Sequence, residues 1–165
     1  MQKLIKNGEL AVNEWHLVED DSFDLAKLSS GKYILSLARF QDAAKQADIN
    51  LQNCGVYLNS DDEAESLAAN IAKIPLVALN IGSFMDGRSL SQARVVRDQL
   101  DFTGEVRAIG NFLQDQLFYL SRCGVNAFLL PEDADIESSI ASLSDFSESY
   151  QASCDEPQPL FRRRV

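Results

Sequence analysis

The stretch from Leu76 to Ile81 is nearly all apolar. A run of this length without alternation suits a strand buried on both faces, and such strands belong to parallel sheets covered by helices. The chain around it keeps one rhythm. Tyr33 to Ala38, Gly55 to Leu58, Glu105 to Ile109 and Ala127 to Leu130 are further short strand-like runs, each followed by a segment long enough for a crossover. Strands alternating with helices of 10–15 residues imply βαβ units and a mainly parallel sheet.

The intervening segments read as helices with identifiable ends. Asp42 to Ala47 is the first. The second runs from Asp62 to Lys73, with Ala64, Leu67, Ala68, Ile71 and Ala72 on one face and Pro75 as its stop. Ser89, with Gln92 three residues on, predicts a capping box opening a helix to about Leu100, whose inward stripe is Leu90, Ala93, Val96 and Leu100. Thr103-Gly104 is the return turn. Asn111 is placed to cap a helix with Leu113, Leu117 and Leu120 inward and Gly124 just past its end. Asp133 or Asp135 caps a last helix carrying Ile136, Ile140, Leu143 and Phe146.

Residues 1–30 form a β-rich preface: a strand from Lys3 to Lys6, an Asn7-Gly8 hairpin turn, a returning Glu9 to Val12 and a strand from Trp15 to Val18. Glu19 to Ser22 is a loop. Residues 150–165 form a tail ending in Arg162-Arg163-Arg164, either a docking segment or a solvated end. The whole, 1–165, is one α/β domain. Glu105 and Arg107 share a strand face with Ile109, a charged pair at odds with a dry open sheet. An open sheet of consecutive βα units is the first expectation, and a half TIM-barrel-like (βα) array is the alternative.

A net charge of −10 repels phosphate backbones and anionic headgroups, so nucleic acid and membrane are not expected partners. No run approaches the ~20 apolar residues of a bilayer span, and the first residues do not read as a signal peptide. A cytoplasmic location is expected. Cys54, Cys123 and Cys154 are scattered, and His16 is the sole histidine, so neither a disulfide framework nor a histidine metal site is expected. Cys123, at a helix C-terminus, reads as a structural thiol, because the negative dipole end opposes the thiolate. No G-x-G-x-x-G, P-loop or four-cysteine cluster motif occurs, and no cofactor is identified.

In parallel α/β folds ligands bind beyond the carboxyl ends of the strands. Chain order puts Arg39, Asn59, Asp61, Asp86, Arg88, Asn111, Asp115 and Glu132 there. Asp86-Gly87-Arg88 is the strongest candidate. Asp86 is placed as acid or base, and Arg88 as a planar fork for a carboxylate, phosphate or sulfite-like oxyanion. The plain alternative is a common turn dipeptide beside a local ion pair. Arg94, its stem along the buried edge, is a candidate substrate contact, while Arg97 on the same helix reads as solvated. Arg107, Asn111, Asp115 and Gln116 are candidate substrate contacts from the neighbouring unit. Asn111 also reads as a cap, and Gln116 as facing inward.

The segments Phe84-Met85-Asp86-Gly87-Arg88-Ser89-Leu90-Ser91-Gln92-Ala93-Arg94, Gly104-Glu105-Val106-Arg107-Ala108-Ile109-Gly110 and Asp115-Gln116-Leu117-Phe118-Tyr119-Leu120, with Arg122-Cys123-Gly124, resemble a bacterial family, DUF934. Pro159 to Arg164 is similar to the ending of its members. Members are often labelled oxidoreductases involved in sulfite reduction. The resemblance implies an accessory protein or oxidoreductase of assimilatory sulfite and sulfate reduction, with the sulfite reductase haemoprotein as partner. It brings no established catalytic residues. From the residues themselves two other readings stand: an enzyme binding a small anionic molecule at the strand ends, and a non-catalytic subunit assembling with copies of itself through sheet edges.

Overall fold

The structure, a computed structural model, describes residues 2–20 and 22–163. Asp21 of the expected loop, and Arg164 and Val165 of the basic ending, lie outside the described residues. The strands are β1 (Lys3–Lys6), β2 (Glu9–Ala11), β3 (Trp15–Leu17), β4 (Lys32–Ser36), β5 (Cys54–Leu58), β6 (Leu76–Ile81), β7 (Glu105–Gly110) and β8 (Ala127–Leu130). They make one sheet in the order β2-β1-β8-β7-β6-β5-β4-β3. From β3 to β8 every neighbour is parallel and follows in chain order, while β1 lies antiparallel on β8 and β2 antiparallel on β1. The order never reverses among these six strands, so this is the winding of a (βα) barrel rather than of a doubly wound sheet.

The sheet has to curl. Its two edge strands, β2 and β3, are joined only by residues 12–14. From Ala11 to Trp15 an extended chain reaches about 14 Å. Eight flat strands at about 4.8 Å would hold the edges roughly 34 Å apart. Burial follows the curl. Val77, Leu79, Val106 and Ala108 face the outer core under the crossovers. Leu4, Ile34, Leu76, Ala78, Ile109 and Leu129 meet Trp15 and Tyr57 in a separate inner cluster, as lumen side chains do. The α/β plan of consecutive βα units with a β-rich start is the one expected, and of the two architectures left open the half-barrel is adopted. Glu105 and Arg107 lie on the lumen side, where a charged pair can be met by others across the curl.

The helices are α1 (Leu37–Ala44), α2 (Arg88–Arg94), α3 (Leu117–Arg122), α4 (Ile136–Ser142) and α5 (Leu160–Arg163), and a π turn, Val95–Gln99, continues α2. Several ends differ from expectation. Helix α1 starts at Leu37, well before Asp42, because the Ser36 hydroxyl accepts the Arg39 N–H. The segment 62–73 is not one helix but two 3₁₀ turns, Ala64–Leu67 and Ile71–Lys73. Its hydrogen bonds close every three residues, and Ala64, Leu67, Ile71 and Ile74 are buried while Ala68 and Ala72 are exposed. Helix α2 is capped at Gly87, not Ser89, and both Ser89 and Gln92 are buried inside it. Leu113 and Phe146 are exposed rather than inward. Arg97 is not solvated: it donates to the carbonyls of Phe102, Gly104 and Gly124 at 2.6–2.8 Å.

Candidate functional site

The carboxyl ends of β5, β6 and β7 carry the turn that follows β6. Its frame is built from its own charges. Arg88 Nε donates to Asp86 Oδ1 at 3.0 Å and Nη2 to Oδ2 at 2.8 Å, a side-on pairing of fork with carboxylate. The Arg88 backbone N–H adds a further bond to Asp86 at 3.1 Å. Nη1 of Arg88 reaches Asp61 on the crossover after β5. Arg88's hydrogen bonds, joined by one from Ser60, hold the Asp86 carboxyl well below the usual carboxylate range, and Asp86 and Asp61 raise the Arg88 guanidinium. Asp86 is thereby kept ionised but made a weak base, and the fork of Arg88 is already shared by two carboxylates.

Polar side chains tie the neighbouring loops into the same rim. Gln92 Nε2 donates to the carbonyls of Asn59 and Asp62 at 2.7 and 2.8 Å, fastening α2 to the crossover after β5. Asn80 Nδ2 donates to Asn59 Oδ1 at 2.8 Å. Asn111 caps no helix; its amide donates to the Gly82 carbonyl at 3.1 Å. Gln116 is not turned into the core. It accepts the Leu113 N–H at 3.0 Å and donates to the Phe84 carbonyl at 2.9 Å, which sets the loops after β6 and β7 side by side. Asp115 is exposed on the 3₁₀ turn Gln114–Gln116. The frame leaves three apolar side chains in water: Phe84 is 51% exposed, Met85 80% and Leu113 48%.

Two candidates stand elsewhere. Arg107, 1% exposed, points into the lumen. Nε and Nη2 hold Glu105 at 2.6 Å, and Nη1 donates to Asn13 Oδ1 at 2.9 Å on the link between β2 and β3. Arg94 faces the tail. It pairs with Asp98 at 2.7 Å and donates to the Ser153 hydroxyl at 2.8 Å. The buried Arg122 joins it there, holding Asp155 at 3.1 Å and the Gln151 carbonyl at 2.5 Å. The structure thus brings Asp86, Arg88, Asn111 and Gln116 to one rim and sends Arg94 and Arg107 to two other places.

A family model described as bacterial protein of unknown function, DUF934, matches residues 55–161. This chain belongs to the DUF934 family. No curated protein matches it. The matched range ends within the tail, so in this DUF934 protein the turn at Phe84 to Arg88, the lumen pair on β7 and the tail anchors Arg94 and Arg122 all fall inside it. Gln92 was readable only as a capping residue, and its role as a staple between α2 and the Asn59 loop depends on a partner 33 positions away. Asn13 bears no local signal that it reaches β7. Among the described residues no three His, Cys, Asp or Glu side chains are grouped to hold a metal ion, and no helix is long and apolar enough to cross a membrane.

Proposed function

We propose that this chain is a cytoplasmic accessory protein of assimilatory sulfite reduction that docks on the sulfite reductase haemoprotein through the rim around Phe84 and Met85. The observation that carries the docking is the inverted chemistry of the motif turn. A turn built to grip a small ligand aims its charges at a cavity and keeps its apolar groups inside. Here the Arg88 fork is taken up by Asp86 and Asp61 within the turn's own frame, and the large apolar side chains stand in water on that hydrogen-bonded frame. Exposed aromatic and methionine side chains on a preorganised scaffold are the usual anchors of a protein interface. The reductase as partner rests on the motif resemblance set out above. On this reading the redox chemistry belongs to the haemoprotein, and Asp86 and Arg88 are positioning residues.

Affinity purification of the tagged chain from cells growing on sulfate retains the reductase. The Phe84→Ser/Met85→Ser variant, with an unchanged circular dichroism spectrum and Tm, loses it, and fails to restore growth on sulfate to a deletion strain. Normal growth of the deletion strain on sulfate as sole sulfur source, together with no reductase retained by the wild-type chain, would overturn the proposal.

A further inference from the structure

The floor of the half-barrel, at the amino ends of the strands, holds a second polar site that the rim does not use. The link 12–14 crosses this mouth and borders a half-open cavity of about 220 Å³ lined by Trp15, Lys6, Lys32, Glu14, Glu105 and Arg107. Its walls come from β1, β3, β4, β6 and β7 and from the link, so only the curl brings them together. The space equals roughly seven water volumes at about 30 Å³ each, enough for a hydrated ion of a few heavy atoms.

The charges there do not cancel. Lys6 pairs with Glu105 at 2.8 Å, Lys32 with Glu14 at 2.6 Å, and Arg107 with the same Glu105 at 2.6 Å. Three cations thus face two carboxylates, in a chain whose total charge is −10. Each lysine ammonium has three donors and each ion pair engages one, so N–H groups remain for a further acceptor. Arg107 is nearly solvent-free, and a partly desolvated cation holds an anion more tightly than one in water. Trp15 completes the wall, with Lys32 Nζ 6.0 Å from its ring centre.

We infer that this floor binds a small oxyanion of the size of sulfate or phosphate, held by Lys6, Lys32 and Arg107. The site is independent of the docking rim and does not rest on the sulfite reading. Trp15 is the only tryptophan of the chain, so intrinsic fluorescence reports directly on the cavity. Sodium sulfate and sodium phosphate, titrated against sodium chloride at matched ionic strength, give a saturable change that chloride does not. Lys32→Gln and Lys6→Gln raise the midpoint at least fivefold without lowering Tm, so the test does not depend on an Arg107 variant that fails to fold. Glu14→Gln removes a competing carboxylate and lowers the midpoint about threefold. A response to sulfate and phosphate that matches chloride, or a midpoint unmoved in all three variants, would refute the site.

Discussion

Arg88 is bound to Asp86 through its side chain and its backbone N–H together, so two residues of one turn lock each other. The depressed carboxyl of Asp86 is the measurable consequence. A group lowered in the folded state favours folding while it is ionised, and that contribution fades as pH falls below the ordinary carboxylate range towards the lowered value. Carboxyl-carbon NMR is expected to show Asp86 still ionised where exposed aspartates have already titrated. In Arg88→Gln its midpoint should rise towards the usual aspartate value. An unchanged midpoint in that variant would show that Arg88 is not the cause.

Gly110 ends β7 at φ +92°, and a Cβ there would lie 2.5 Å from the Ile81 carbonyl oxygen. That oxygen accepts the Asn111 N–H at 2.7 Å, the bond that starts the loop carrying Asn111 and Gln116. Gly110→Ala adds left-handed strain and a backbone clash together, so a loss of about 2–4 kcal/mol is expected in urea denaturation. A loss below about 1 kcal/mol would mean that the loop moves aside freely.

Much of this fold was legible because the apolar runs are short and regularly spaced. Leu76–Ile81 and Ala127–Leu130 have the boundaries their apolar content marks. Glu105 and Arg107 on one face already hinted at a lumen. What escaped depended on partners distant in sequence or on two patterns sharing one spacing. Ala64, Leu67 and Ile71 fit a helix face and a pair of 3₁₀ turns equally well. Ser89 and Gln92 spell a capping box, yet the helix is capped two positions earlier, at Gly87, so both fall inside α2, where Gln92 reaches the Asn59 loop. The Arg107–Asn13 contact spans 94 positions, and the Arg88–Asp61 contact 27, so neither has a local signature.

Glu105 and Arg107 are unequal partners. Arg107→Met leaves Glu105 with Lys6, which is 43% exposed and can follow it. Glu105→Gln leaves the Arg107 cation, 1% exposed, with amide oxygens as acceptors and no carboxylate. Breaking a buried pair from one side costs about 3–5 kcal/mol, mostly through the charge left behind. Glu105→Gln is therefore expected to destabilise more than Arg107→Met in urea melts at pH 7, and adding Arg107→Met to Glu105→Gln should recover part of the loss. The reverse order would show that the lumen charge is set by Lys6 instead.

Cys154 is the one thiol of the three that is not buried. Burial, then its hydrogen bond to Asp98 at 3.3 Å, pushes its pKa up to about 11, and Cys54 is pushed to about 12 by burial alone. At pH 8 about one Cys154 in a thousand is thiolate, and only the thiolate attacks. A disulfide reagent should modify Cys154 first, yet at least tenfold more slowly than in urea. Asp98→Asn removes an anion beside the sulfur and should speed the reaction several-fold. Equal rates in folded and unfolded protein would contradict the environment described.

Ser89 sits in the first turn of α2, 1% exposed, and its hydroxyl has no hydrogen-bond partner among the described residues. A buried hydroxyl left unpaired costs about 1–3 kcal/mol, and alanine is also the better helix former by a few tenths. On stability alone Ser89→Ala is expected to raise the protein's stability by about 1 kcal/mol, seen as a higher Tm. The residue lies one position from Arg88 and three from Gln92, both of which anchor the rim to the loop after β5. If the variant gains stability and keeps the reductase on the affinity column, the hydroxyl is a tolerated defect of the helix start. If it gains stability but loses the reductase, Ser89 sets the orientation of the docking turn. A fall in Tm would show instead that the hydroxyl is satisfied by a bound water, and that the helix start depends on it.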